Sequence, residues 1–183
     1  MELTEALRTR RAVRAFTTEP VETNVIQELI DTAVLAPSAI NLQPWGFAVV
    51  QGVERLHTLE AEARRHAIEH LPKDSPLYAH VSDPSFDIFH GAVALIIVCA
   101  IDGKAQSSED CCLAALHLML AAHAKGLGTC WVGLSRPWLN EAEVKAGLGI
   151  PVDWHPVAPV ILGRRRALPP PTPRKAPVVV WCP

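Results

Sequence analysis

No run of about 18 consecutive apolar residues occurs in this chain of 183 residues, so a membrane-spanning helix is not expected. The opening MELTEALRTRR lacks the apolar core of a secretory leader, and the expected location is cytoplasmic. Cysteines are few and odd in number: Cys99, Cys111, Cys112, Cys130 and Cys182. They fall in apolar runs without a CxxC pair, which disfavours both a disulfide framework and a zinc site and leaves reduced core thiols as the expectation. Adjacent Cys111 and Cys112 would point to different faces of a helix and make a poor redox pair. A GxSxG elbow, a P-loop, a GxGxxG turn and an HExxH pair are also absent. The usual hydrolase, nucleoside-triphosphate, dinucleotide and zinc-protease readings therefore have no support.

What is present is enough for one core. Hydrophobic residues make up 49% of the sequence, and the length suits a single domain. The net charge of −2 hides an asymmetry: nine of the seventeen basic residues lie in segments 8–14 and 164–175. Between Ala15 and Gly163, eight basic residues face seventeen acidic ones, a balance of −9. Positive charge concentrated at the two ends points to small anion sites, and no nucleic-acid partner is expected. His66 and His70 lie one helical turn apart, but Arg64 and Arg65 stand beside them and no third ligand is in view, so a solvated helix face is expected and no metal. His117 and His123 read as core or interface histidines.

Periodicity gives the elements. Residues 2–10 suit a short helix, with arginines near its C-terminal end where cations complement the helix dipole. Ile26, Leu29, Ile30, Ala33 and Val34 mark one face of an amphipathic helix from about Glu22, stopped by Pro37. Trp45–Val50 reads as a strand, 53–70 as a charged helix and 70–90 as an irregular stretch. AVALIIVCA at 92–100 suits a strand buried on both faces. Ser107 or Ser108 can cap a helix running to Ala124, with Gly126 as its C′ residue. That helix is apolar nearly all round and must be enclosed by the sheet or by a second subunit. Asn140 and Glu143 fit a capping box for a helix ending near Gly149, and 156–163 reads as the last core strand. Prolines 169, 170, 171, 173 and 177 then impose an extended arm ending in VVVW. The expected organisation is a domain over 1–168 with the arm over 169–183.

The chemistry is concentrated in RTRRAVR at 8–14 and PSAINLQPW at 37–45. Arg10, Arg11 and Arg14 offer planar, permanently charged forks suited to a phosphate. Ser38, Asn41 and Gln43 offer hydrogen bonds at short spacing after Pro37, and the Asn41 and Gln43 amides both donate and accept, as a flat heteroaromatic ring requires. Ser38 and Asn41 also suit a loop that caps itself. The glycines of 126–133 permit close backbone approach, or simply end a helix.

The order RRAVRAF, then APSAINLQPWGFAVV, then KGLGTCWVG at 125–133 and PVAPVILGR at 156–164 resembles the nitroreductase family of FMN-dependent oxidoreductases across nearly the whole chain. The resemblance implies an α+β fold, a three-layer α-β-α sandwich with a mixed, mainly antiparallel sheet, and a C-terminal arm exchanged in a homodimer with FMN at the interface. It implies FMN contacts from Arg10, Arg11, Ala12, Arg14, Pro37, Ser38, Asn41 and Gln43. Trp131, Val132 and Gly133 are implied beside the flavin, and Arg174 and Lys175 near its phosphate. Arg164, Arg165 and Arg166 read as a solvated turn or as further phosphate ligands. The implied reaction takes hydride from NADH or NADPH and passes it to a nitroaromatic or quinone in a ping-pong cycle. The flavin carries that chemistry, and no catalytic side chain is singled out. This chain departs from many relatives in having Ala12 in place of a serine, and it is too short for an inserted lid, leaving 70–90 to shape the acceptor side. A dehalogenase, a substrate oxidase, a flavin-consuming enzyme, a non-catalytic flavin binder and a coenzyme-free interaction module remain alternatives.

Overall fold

A computed structural model of the chain describes residues 1–182. In chain order the elements are α1 (Leu3–Thr9), α2 (Thr23–Ala33), β1 (Trp45–Gln51), α3 (Val53–His70), α4 (Pro76–Ser82), β2 (Ala94–Ala100), α5 (Ala105–Ala124), β3 (Leu127–Trp131), α6 (Arg136–Leu139), α7 (Ala142–Leu148) and β4 (His155–Arg164). The strands form one sheet in the order β1-β2-β4-β3, with every named pair antiparallel. Among the described residues, the expected mixed character reduces to one parallel bridge between Ala12 and Thr129.

Three layers result. The expected run of apolar residues is β2, all seven of whose residues are buried because helices cover both sheet faces. One face carries α5 with α2 against it, packed through Leu29, Ala114, Leu118 and Ala122. The other carries α3, α6 and α7 through Leu56, Ala63, Trp138 and Leu139. No helix among the described residues is long and apolar enough to cross a membrane. Residues 169–182 form no helix or strand and stand almost wholly exposed, Trp181 included.

Several local expectations need correction. Segment 70–90 is not wholly irregular, since Ser75 accepts hydrogen bonds from the Leu77 and Tyr78 N–H groups and starts α4 with Pro76 in its first turn. Helix α5 begins at Ala105 with Lys104 at its N-cap, so neither Ser107 nor Ser108 caps it. The Asn140–Glu143 capping box does not form. Asn140 closes α6 and donates its side-chain amide to the Arg136 and Pro156 carbonyls, and Glu141 takes the N-cap of α7. Cys99, Cys111 and Cys130 are buried as expected, whereas Cys112 and Cys182 are exposed. Burial pushes the Cys99 and Cys111 thiols up to about 12, which makes them inert.

Candidate functional site

The segment after α1 runs extended along the free edge of β3. Val13 donates its N–H to the Thr129 carbonyl at 2.9 Å, and Phe16 bridges Arg165. Two glycines allow this close approach. A Cβ on Gly128 would lie 2.7 Å from Val13 Cγ1, and one on Gly163 would lie 2.8 Å from Phe16 Cδ1. Gly128 therefore makes room for Val13 and not for a ligand. Gly126, at φ +81°, terminates α5 as the C′ residue.

Because side chains alternate along extended backbone, burying Val13 sends Ala12 and Arg14 to the opposite face. Arg14 reaches a cleft of about 440 Å³ that it shares with Trp131, Val132 and Gly133. The N–H groups of Gly133 and Leu134 open the helical turn that follows β3, and the first N–H groups of such a turn have no acceptor within it. The far wall comes from α4 and the loop after it. His80 and Phe86 lie ring to ring at 4.2 Å, with His90 edge-on to Phe86 at 5.8 Å. Sequence reasoning named none of these three. His90 sits at φ +54° in a turn clamped by Asp87, whose carboxylate accepts from the Phe89 N–H at 2.7 Å and the Gly91 N–H at 2.6 Å. The adjacent HG pair after an Asp was the available signal. Burial, then the nearby Arg14 guanidinium, lowers the His90 pKa.

Arg10 and Arg11 extend the positive charge toward the C-terminal end of α5. Arg11 Nη1 donates to the Arg8 and Arg10 carbonyls at 2.8 Å and so also caps α1, while its Nε is buried without a protein partner. Among the described residues, neither Arg10, Arg11 nor Arg14 forms an ion pair with a carboxylate, and the cleft lining contains no Asp or Glu. Cys130, in the cleft lining, has its pKa raised by burial and partly offset by Arg14 and Arg10. The expected solvated turn at 164–166 is not found as such: Arg164 pairs with Glu19 and Glu22, Arg166 Nε donates to the Phe16 carbonyl, and Arg165 reaches His123.

The loop from Pro37 to Gln43 is built as a separate, strained unit. Ile40, Asn41 and Gln43 adopt φ of +44°, +60° and +50°, a region costly for any residue with a side chain and most of all for the β-branched Ile40. The strain is held in place from both sides. The buried Asp110 carboxylate accepts the Ala39 N–H at 3.2 and 3.3 Å, and Ser38 Oγ accepts the Gln43 N–H at 2.9 Å. Gln43 Nε2 donates to Asn41 Oδ1 at 3.1 Å, presenting both amides together.

Within one chain the two halves do not meet. Asp110 anchors the loop near the start of α5, whereas the arginine cluster surrounds His123 near its end; thirteen residues at 1.5 Å rise separate them by about 20 Å. Arg174 and Lys175 lie on the exposed arm and join neither half. His66 and His70 stack at 4.0 Å, with His66 Nε2 3.4 Å from a Glu141 carboxylate oxygen. They lie in a groove between α3 and α7, and among the described residues no three potential ligands gather around a metal position.

The model of the nitroreductase family matches residues 7–164. The chain belongs to the nitroreductase family. It is 31% identical over 139 residues to a protein of Methanothermobacter thermautotrophicus provisionally named NADH dehydrogenase/NAD(P)H nitroreductase, covering 73% of this chain and 62% of that protein. Against the 5,6-dimethylbenzimidazole synthase of Rhodospirillum rubrum it is 32% identical over 177 residues, covering 84% and 77%. Among solved structures, a Bacteroides fragilis nitroreductase with bound FMN superposes with a TM-score of 0.86 at 23% identity, covering 100% of this chain and 99% of that one. The nitroreductase-like α+β fold is thereby established for this chain.

Proposed function

We propose that the protein is a cytoplasmic, FMN-dependent oxidoreductase, a homodimer that takes hydride from NADH or NADPH and reduces a nitroaromatic or quinone in a ping-pong cycle. The observation that carries this reading is a run of three arginines without carboxylate partners, of which Arg14 lines a cleft with the Trp131–Gly133 turn and Arg10 and Arg11 stand on the same segment. The donor set fits FMN. An anion is needed beside Arg11, where a buried Nε lacks a partner, and a guanidinium fork is well matched to a phosphate. When bound, FMN supplies hydride acceptance and donation. Arg10 and Arg11 would hold the phosphate beside Ala12, and Arg14 with the Gly133 N–H would hydrogen-bond the ring, where positive groups favour reduction. Asn41 and Gln43 hydrogen-bond the ring from a second copy.

The separation along α5 calls for that second copy. In a two-fold pair with antiparallel α5 helices, the Pro37–Gln43 loop of one copy reaches the cleft of the other. Apolar surface favours the same arrangement: Leu113 and Leu116 on α5 are 41% and 38% exposed, and Ile40 is 91% exposed. The 169–183 arm is the segment that would cross to the partner, bringing Arg174 and Lys175 to the phosphate.

The test is an absorbance spectrum of the purified protein after FMN loading, repeated with each nicotinamide cofactor under nitrogen and then with a nitrofuran or menadione. A flavin spectrum, bleaching and recovery are expected. Absence of flavin binding removes the proposal, and binding without bleaching leaves a flavin carrier. The similarity to 5,6-dimethylbenzimidazole synthase favours a flavin-consuming enzyme as the second reading. It predicts that the bleached flavin is not recovered when air is admitted.

A further inference from the structure

His123 is buried at the last turn of α5 with a partner on each ring nitrogen. Arg165 Nη1 lies 3.3 Å from Nδ1, and Thr9 Oγ1 lies 2.8 Å from Nε2. A guanidinium can only donate, so Nδ1 is the acceptor and the ring proton resides on Nε2. Nε2–H then donates to Thr9 Oγ1, and the Thr9 hydroxyl donates onward to the Glu5 carbonyl at 2.7 Å. Every proton in the relay from Arg165 to the α1 backbone is thereby assigned. A second proton on His123 would abolish the Arg165 contact. Burial first, then Arg165, Arg10 and Arg11, lowers the His123 pKa against a smaller opposing pull from Glu5. Those four are the charged groups that face the ring, from the residue after β4, the segment after α1, and α1 itself.

Three consecutive arginines thus have three different roles. Arg164 is occupied by Glu19 and Glu22, and Arg166 by the Phe16 carbonyl. Arg165 has no carboxylate partner among the described residues, its backbone is fixed by the bridge to Phe16, and one of its nitrogens is held by His123. Among the described residues its remaining side-chain N–H groups have no partner, and they stand just past a strand end beside His123, which Arg10 and Arg11 also face. We infer that Arg165 is a third arginine of the anion site, beside Arg10 and Arg11, and that His123 is the positioning residue that aims it through the Nη1 to Nδ1 hydrogen bond. The inference rests on the reading of that site as the FMN phosphate site. It supplies a phosphate ligand from the body of the domain that does not depend on the arm bearing Arg174 and Lys175.

The test compares FMN with riboflavin, which has the ring and no phosphate, by fluorescence titration of the full chain. Arg165→Gln is expected to weaken FMN by at least about tenfold, the loss of one charge-assisted contact, and to leave riboflavin unchanged. His123→Leu is expected to produce the same phosphate-selective loss. His123→Gln keeps an oxygen to accept from Arg165 and an amide to donate to Thr9, and is expected to retain most of the FMN affinity. Retained riboflavin binding certifies folding; if His123→Leu fails that check, Arg165→Gln and Arg165→Lys decide the question, with Lys expected to fall between wild type and Gln. Equal losses for FMN and riboflavin, or no loss in Arg165→Gln, overturns the assignment. Full FMN selectivity in a folded His123→Leu overturns the positioning role. Wild-type protein that binds neither flavin overturns instead the reading on which the inference rests.

Discussion

Gly128 lies directly against Val13, closely enough that a single added methyl group would sit 2.7 Å from Val13 Cγ1 and 2.9 Å from Val13 Cβ. Since Val13 is fully buried and its neighbours Arg10 and Arg14 carry the site's charge, packing here determines where the charge sits. Gly128→Ala is expected to cost about 1–3 kcal/mol of stability, the usual range for overpacking, and to weaken FMN binding by displacing the arginine-bearing segment. Thermal melting together with FMN titration checks this, and a variant with wild-type values for both contradicts it.

Arg14→Ala removes a cation from the cleft and is expected to weaken FMN binding by about 1.5–3 kcal/mol, the range for a hydrogen bond to a charged group. It should also raise the pKa of His90, because the Arg14 guanidinium opposes protonation of that ring. NMR titration of the flavin-free protein reads the second effect without any ligand. A His90 titration unchanged in the variant would show that the two side chains do not share the cleft.

Asp110 holds the strained loop by accepting the Ala39 N–H, and the carboxylate is almost wholly buried. Asp110→Ala leaves that N–H without an acceptor, at about 1–3 kcal/mol, and lets Ile40, Asn41 and Gln43 relax from positive φ. Reduced stability with reduced flavin affinity is expected. Asp110→Asn keeps one acceptor oxygen and should fall between. Increased protease cleavage at 38–43 in Asp110→Ala would report the released loop directly.

The buried His123 and the half-buried His90 set the acid limb of stability. His123 and His90 both have pKa values below the ordinary 6.5, so the unfolded chain binds more protons than the folded one in the window below about 6.5. Their contribution is complete above that pH and is lost as pH falls through the lowered values. Glu60 acts in the opposite sense. Burial raises its pKa from 4.5, so its contribution is complete below that pH and is lost on the way up. Denaturant midpoints are expected to fall between pH 7 and pH 5.5, less steeply in His123→Gln and more steeply in Glu60→Gln.

The sequence made the frame legible wherever one residue's environment is set by its near neighbours. The apolar run at 92–100 could only be a strand covered on both faces, and the spacing of Ile26, Leu29 and Ala33 could only be one helix face. Gly126 was legible as a helix terminator for the same reason. The residues that misled all answer to partners distant in sequence. Asn140 resembles a cap and instead bonds the Pro156 carbonyl, and Gly128 reads as a ligand-facing glycine and instead accommodates Val13. His123 and Arg165, forty-two positions apart, carry no local sign of meeting. Of the candidate site, RTRRAVR and PSAINLQPW were conspicuous because their residue types are unusual for surface turns. The aromatic and imidazole wall after α4 was not, because Phe86 and His90 look ordinary until the Asp87 turn aims them.

The 20 Å span along α5 between the Asp110 anchor and the His123 cluster makes the protein a natural subject for complementation. In the two-fold pair proposed above, chains damaged only in the arginine half and chains damaged only in the amide loop would each be inactive when assembled with themselves. Reassorted together, each mixed pair would hold one doubly broken cleft and one assembled from two undamaged halves, so blending two dead preparations would restore turnover.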